Sequence, residues 1–170
     1  MWLWVLVYIV VAIVSLLFLL AIIGSLLSKS HEVAVSLDTP VPPEALWSLI
    51  TDFPGQTRWR KQLREVRLIS PGGGNPTWLE IGARGHRLPL QTIVSEPPRK
   101  LVRRIADPKL PFGGEWVFLI EPTASGSRVT ITEKGEVYHP IFRLISKMFD
   151  MSSTIRTYLK DLEVAVQSKA

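Results

Sequence analysis

The sequence predicts an α+β domain, a seven-stranded antiparallel sheet with one long C-terminal helix, carried behind a single membrane-crossing helix. Three observations lead there. Of the first 27 residues, 24 are apolar and none is charged. From His31 the apolar period shortens to two, in short runs closed by Pro and Gly. After Pro140 it lengthens to three and four. The chain therefore divides into a transmembrane helix at residues 1–28 and one domain at residues 29–170. All 20 Lys and Arg and all 15 Asp and Glu lie after residue 28, so the net charge of +5 belongs to the domain. This composition excludes a polytopic membrane protein and a disordered chain. With no cysteine, it also excludes disulfides, a thiol nucleophile and a Cys-type zinc site.

Between Trp2 and Leu27 only Ser15, Gly24 and Ser25 interrupt the apolar run. As a helix it spans about 39 Å, against a hydrocarbon core of about 30 Å. No Lys or Arg precedes it, it exceeds the usual signal-peptide core of about 7–15 residues, and no A-x-A site follows. An uncleaved anchor, contacting the bilayer through residues 2–27, is the reading these features favour. Trp2, Trp4 and Tyr8 suit one interface and Lys29 the other. The basic residues after the span place the domain on the cytoplasmic side by the positive-inside rule.

In the domain, the alternation at 31–37 predicts a first strand. Pro40 to Pro43 break it. Pro43 and Glu44 suit a helix start, and Ala45, Leu46, Leu49 and Ile50 give that helix an apolar face to about Phe53. A short second helix over 56–61 follows Pro54-Gly55. Six more strands are predicted over 63–69, 77–83, 87–94, 100–106, 115–120 and 128–137. They follow one another through short loops, which predicts an antiparallel sheet. Ile141, Leu144, Ile145, Met148, Phe149, Ser152, Ile155, Leu159, Leu162 and Val166 then form one stripe on a helix of about 25 residues.

This order, with Pro43-Glu44-Ala45-Leu46-Trp47, Leu110-Pro111-Phe112-Gly113-Gly114-Glu115-Trp116 and Arg128-Val129-Thr130-Ile131-Thr132-Glu133, resembles the SRPBCC superfamily of START-like proteins. The segments Glu136 to Arg143 and Tyr158 to Leu162 extend the likeness across residues 31–167, and the local sequence looks most like the polyketide cyclase/dehydrase-like branch. The resemblance implies a helix-grip fold, in which a curved sheet wraps the long C-terminal helix and an apolar ligand lies between them. That superfamily hosts carriers, cyclases and hydrolases, so the resemblance implies a cavity rather than a reaction.

Glu133 shares strand parity with Val129, Ile131 and Val137, so it points toward the apolar face. A carboxylate there is costly unless paired or wet. It either contacts a ligand, as hydrogen-bond partner or acid/base, or closes a salt bridge to Arg103 or Arg104. Arg103 has the parity of Leu101 and Ile105 and is the natural partner if it turns inward; otherwise it is an exposed arginine. His86 opens the strand whose inward set is Leu88, Leu90, Thr92 and Val94, and either reaches a ligand or lies at the surface. Trp116 and Phe118 alternate against Glu115 and Glu121 and should line the inner face, with Trp59 and Trp78 as rim or wall. His31 and His139, at element boundaries, read as structural. Three scattered histidines without matching carboxylates do not make a metal site, and no cofactor motif is present. Arg58, Arg60, Lys61 and Arg64 form a basic run that suits anionic lipid head groups, or else a solvated face; nucleic acid is not expected.

The function expected is a membrane-anchored binding or transfer module for an apolar, lipid-like or polycyclic ligand. The alternatives are a polyketide cyclase/dehydrase-like enzyme and a protein-interaction module with a filled core.

Overall fold

A computed structural model describes residues 2–147 and 150–168. The apolar run forms helix α1, Trp2–Leu26. It is long and apolar enough to cross a membrane. Along it Leu20 and Ala21 are half-buried and Gly24 is buried, while the rest of the helix is exposed. A three-residue linker leads into β1, Ser30–Thr39. Helix α2, Pro43–Thr51, and one 3₁₀ turn, Pro54–Arg58, cross to the other end of the sheet. There β2 (Leu63–Ser70), β3 (Thr77–Gly82), β4 (Arg87–Glu96), β5 (Lys100–Ile105), β6 (Phe112–Thr123) and β7 (Gly126–Val137) follow as a meander. All pairs are antiparallel, and β1 closes the order β1-β7-β6-β5-β4-β3-β2 by pairing with β7.

The strand predictions hold, with ends moved by a few residues. β6 and β7 each run to 12 residues because the hairpin turn between them is tight. Gly126 makes that turn possible: its φ is +149°, and a Cβ there would lie 2.2 Å from the Thr39 carbonyl oxygen.

The C-terminal stripe departs from the expectation of one continuous helix. It folds as α3, Pro140–Ser146, and α4, Ser153–Gln167. Met148 and Phe149, assigned to the same stripe, lie outside the described residues. The break has a local cause. Asp150 Oδ1 accepts from both the Ser152 backbone N–H (2.9 Å) and the Ser152 hydroxyl (2.6 Å). Such a turn competes with helical hydrogen bonding and starts a new helix instead. The Ser152 bonds hold the Asp150 carboxyl below its ordinary value.

The core lies between the sheet and the two helices α2 and α4. Leu46 and Ile50 of α2, Phe118, Val129 and Ile131 of the sheet, and Ile155 and Leu162 of α4 are all buried in it. α4 is also tied by Asp161, whose carboxylate accepts the Lys61 backbone N–H at 3.0 Å.

Candidate functional site

Between the sheet and the C-terminal helices lies a cavity of about 560 Å³. Leu88, Leu90, Ile105, Trp116 and Phe118 supply its wall on the sheet side, and Phe142, Ile145 and Met151 supply it on the other. This size falls within the range of small-molecule sites, which are mostly apolar with a few placed polar groups. Glu115, Glu136, Ser146 and Thr154 also reach its lining, and two clusters of polar side chains are built into the wall.

The first is built on Glu80, which is buried on β3. Its Oε1 accepts from Arg103 Nη1 at 2.5 Å and its Oε2 from Arg60 Nη1 at 2.8 Å. Arg60 also donates to Gln56 Oε1 at 2.7 Å, and Gln56 Nε2 is fixed by the Ile50 carbonyl at 2.6 Å. The two guanidiniums lie over rings, Arg103 4.2 Å from the centre of Phe53 and Arg60 5.1 Å from that of Tyr158. Burial alone would raise the Glu80 carboxyl, but the charges and hydrogen bonds of Arg60 and Arg103 hold it below its ordinary value. Burial pulls the Arg103 guanidinium down, with Glu80 opposing. Burial also pushes the Tyr158 phenol up, so it stays protonated. One carboxylate facing two guanidiniums leaves an excess positive charge. Arg103 Nε and Nη2 and the Tyr158 hydroxyl are buried without a partner among the described residues.

The second group is Glu133 on β7. Its Oε2 accepts from Trp116 Nε1 at 2.9 Å, and its Oε1 lies 3.3 Å from His31 Nε2. Glu133 and His31 are both about one-fifth exposed and both line the cavity.

The structure brings Glu133, Trp116 and Phe118 to the cavity wall on the face that strand parity predicts, and of the two readings left open for Arg103 it shows the inward one. It does not pair Glu133 with Arg103 or Arg104. In register, Arg103 lies opposite Trp116 and Trp116 opposite Glu133. The two charges are thus two strands, about 10 Å, apart with an indole between them. Arg103 turns to Glu80, and Arg104 pairs outside with Glu115 at 3.0 Å.

Three other expected site residues fall away from this cavity. His86 is exposed in the β3–β4 turn, folded over Gly82, because Gly85 at φ +85° closes the turn before the strand begins. Trp78 packs on Phe53 at 5.4 Å, and Trp59 packs edge-on against Tyr158 at 5.3 Å. The basic run is not one face either. Arg58, Lys61 and Arg64 are exposed, but Arg60 turns inward to Glu80.

His31 and Glu80 were not read as site residues. The signal for both was parity. His31 alternates in phase with Val33, Val35 and Leu37, and Glu80 stands two residues from Trp78. Gln56 carries no such signal, since a 3₁₀ turn has no face that alternation can reveal.

By sequence, residues 30–165 match the family described as polyketide cyclase / dehydrase and lipid transport. No curated protein matches the chain. Among solved structures, the Zhui aromatase/cyclase from Streptomyces sp. R1128 superposes with a TM-score of 0.70 at 9% identity, over 81% of this chain and 94% of that one. A norcoclaurine synthase from Thalictrum flavum gives 0.65 at 12% identity, over 82% and 96%. A START superfamily protein from Mycobacterium smegmatis gives 0.63 at 17% identity, over 82% and 99%. At these identities the structures speak for the fold alone. The family match covers most of the chain, and the protein belongs to the polyketide cyclase / dehydrase and lipid transport family.

Proposed function

We propose that this protein is a membrane-anchored binding or transfer module that holds an apolar ligand between its sheet and its C-terminal helices. One observation carries the reading: a cavity of about 560 Å³ whose wall is mostly aromatic and aliphatic. Burial of apolar ligand surface supplies affinity at roughly 25 cal/mol per Å². The unpartnered N–H groups of Arg103 favour a ligand that carries an oxygen at its inner end, and Glu133 offers an acceptor nearer His31. α1 holds the domain at the bilayer, and three linker residues give it little reach toward a distant membrane. The domain then lies on the cytoplasmic side, and a C-terminal reporter active only outside the cytoplasm should stay dark. Arg58, Lys61 and Arg64 remain as exposed cations for anionic head groups, and vesicle binding with and without anionic lipid tests that contact.

The test of the main reading is native mass spectrometry, with organic extraction, of the full chain purified in mild detergent. A reproducible small apolar molecule, distinct from bulk lipid, is expected. Full-length protein that carries bulk lipid alone, and that binds no lipid-like or polyaromatic probe, refutes the reading.

A second reading, a cyclase/dehydrase-like enzyme, draws support from the His31–Glu133 contact inside the cavity. An imidazole held by a carboxylate is suited to moving a proton at a bound ketone or alcohol. Turnover of a polyketide-like substrate that is lost in His31→Gln, with ligand affinity retained, would favour it. The third reading, an interaction module with a filled core, loses its support to the cavity.

A further inference from the structure

The cavity mouth and the end of the membrane helix are built together. α3 starts against the last turns of α1. A Cβ on Gly24 would fall 2.1 Å from the Pro140 carbonyl oxygen, so only glycine lets the two backbones approach this closely. Leu20, Ala21 and Gly24, at helical spacing, are the α1 residues that are not exposed. The junction is also tied by backbone and side chain. Val137 N–H donates to the Lys29 carbonyl at 2.8 Å, joining the linker to the end of β7. Arg143, buried on α3, donates from Nε and Nη2 to the carbonyls of Val137 and Tyr138, both at 2.8 Å.

Around this junction large apolar side chains are exposed, beside the exposed Glu136, His139 and Lys147. Phe142 and Ile145 on α3 line the cavity and are also 49% and 41% exposed. Across the mouth Phe112 does the same at 42%. Tyr138, 46% exposed, lies against Gly113 and pairs its backbone N–H with the Pro111 carbonyl at 3.0 Å. Four large side chains at the rim of one mouth are not the scatter of single apolar residues usual on a soluble surface. Their place relative to α1 says what covers them. A 25-residue helix is about 37 Å long, so the last turn of a spanning α1 lies near the boundary of a core of about 30 Å. α3 touches that turn.

We infer that Phe112, Tyr138, Phe142 and Ile145 are embedded in the lipid interface, so that the cavity opens onto the bilayer rather than onto water. This deepens the proposed function and rests on α1 crossing the membrane. The ligand then passes between acyl chains and cavity without an aqueous step, and the short linker is what keeps the mouth seated.

The absence of cysteine makes the test direct. Single variants Phe142→Cys, Phe112→Cys and Glu121→Cys of the full chain are labelled with a polarity-sensitive fluorophore and placed in phosphatidylcholine vesicles. Some of the lipid carries a nitroxide high on the acyl chain. Glu121 is the control, nine residues along β6 from Phe112 and so about 30 Å from the mouth. Labels at 142 and 112 should be quenched about threefold more than at 121, as expected for groups inserted roughly 5–10 Å into the interface. Gly24→Leu in the Phe142→Cys background should push α3 off α1 and remove most of that excess. Alkaline extraction of the same vesicles reads anchoring separately. A protein that resists extraction with equal quenching at all three sites overturns the inference and leaves the anchor intact. A protein that is extracted overturns both. Excess quenching at 142 that Gly24→Leu leaves unchanged overturns the α1–α3 junction as its cause.

Discussion

Glu80→Gln removes the carboxylate that pairs with both Arg60 and Arg103 while keeping nearly the same shape. Arg103 is only 5% exposed, whereas Arg60 is 21% exposed and can partly turn outward. The cost is therefore set by Arg103, a buried guanidinium left without its carboxylate. Loss of one partner from a buried pair typically costs about 3–5 kcal/mol. For a chain of this size that lowers the melting temperature by roughly 6–20 °C. Thermal unfolding of the full chain in mild detergent, followed by near-ultraviolet circular dichroism, reads it. Arg128→Ala is the control. Its pair with Asp38 is as close, at 2.7 Å, but both side chains are over half exposed, so its melting temperature should stay near that of the wild type. The pH dependence adds a second check. The Glu80 carboxyl is held below 4.5 by Arg60 and Arg103. A folded value below the unfolded one means the stabilisation is complete above pH 4.5 and is lost as pH falls through the folded value. The gap between wild type and Glu80→Gln should be constant at neutral pH and narrow below 4.5. A Glu80→Gln protein that melts with the Arg128→Ala control, or a gap that does not narrow in acid, would refute the reasoning.

Trp116→Phe keeps the aromatic wall but removes the 2.9 Å donor to Glu133, and should cost about 1.5–3 kcal/mol in denaturant titration. Gly126→Ala forces a Cβ at φ +149° into the Thr39 backbone and should cost about 1–3 kcal/mol, whereas Gly73→Ala, at φ +51° with open space around it, should cost about 1 kcal/mol. Arg143→Met removes two donors that hold α3 to the end of β7. Amide exchange across 140–146 should quicken by hydrogen-exchange mass spectrometry, while exchange in α4 stays as it is.

Much of the fold was legible because its elements are specified locally. Pro and Gly mark the strand ends, and the two-residue period assigns faces, so the inward set of Trp116, Phe118 and Glu133 follows from parity, which is also compatible with the inward Arg103. The pairing of those residues was not legible. Parity says that Glu133 and Arg103 share a face; it does not say that Trp116 lies between them, because register depends on how each hairpin closes. The same reason hid the Glu80 cluster, which draws Arg60 from the loop after the 3₁₀ turn, Glu80 from β3 and Arg103 from β5. The division of the C-terminal stripe escaped notice because apolar spacing runs through the break, while the Asp150–Ser152 turn that causes it is polar.

The sequence by itself determined the apolar N-terminal helix, the seven strands and their faces, and the amphipathic C-terminal segment. Each depends on a period or a breaker within a short stretch of chain. Only the tertiary structure decided which charges meet inside, that His31 joins Glu133, and that the cavity mouth lies beside the end of α1. Those facts depend on residues distant in sequence being brought together, His31 and Glu133 across about 100 positions and Glu80 and Arg103 across 23. Register, sheet curvature and helix docking control that meeting, and no local pattern encodes them.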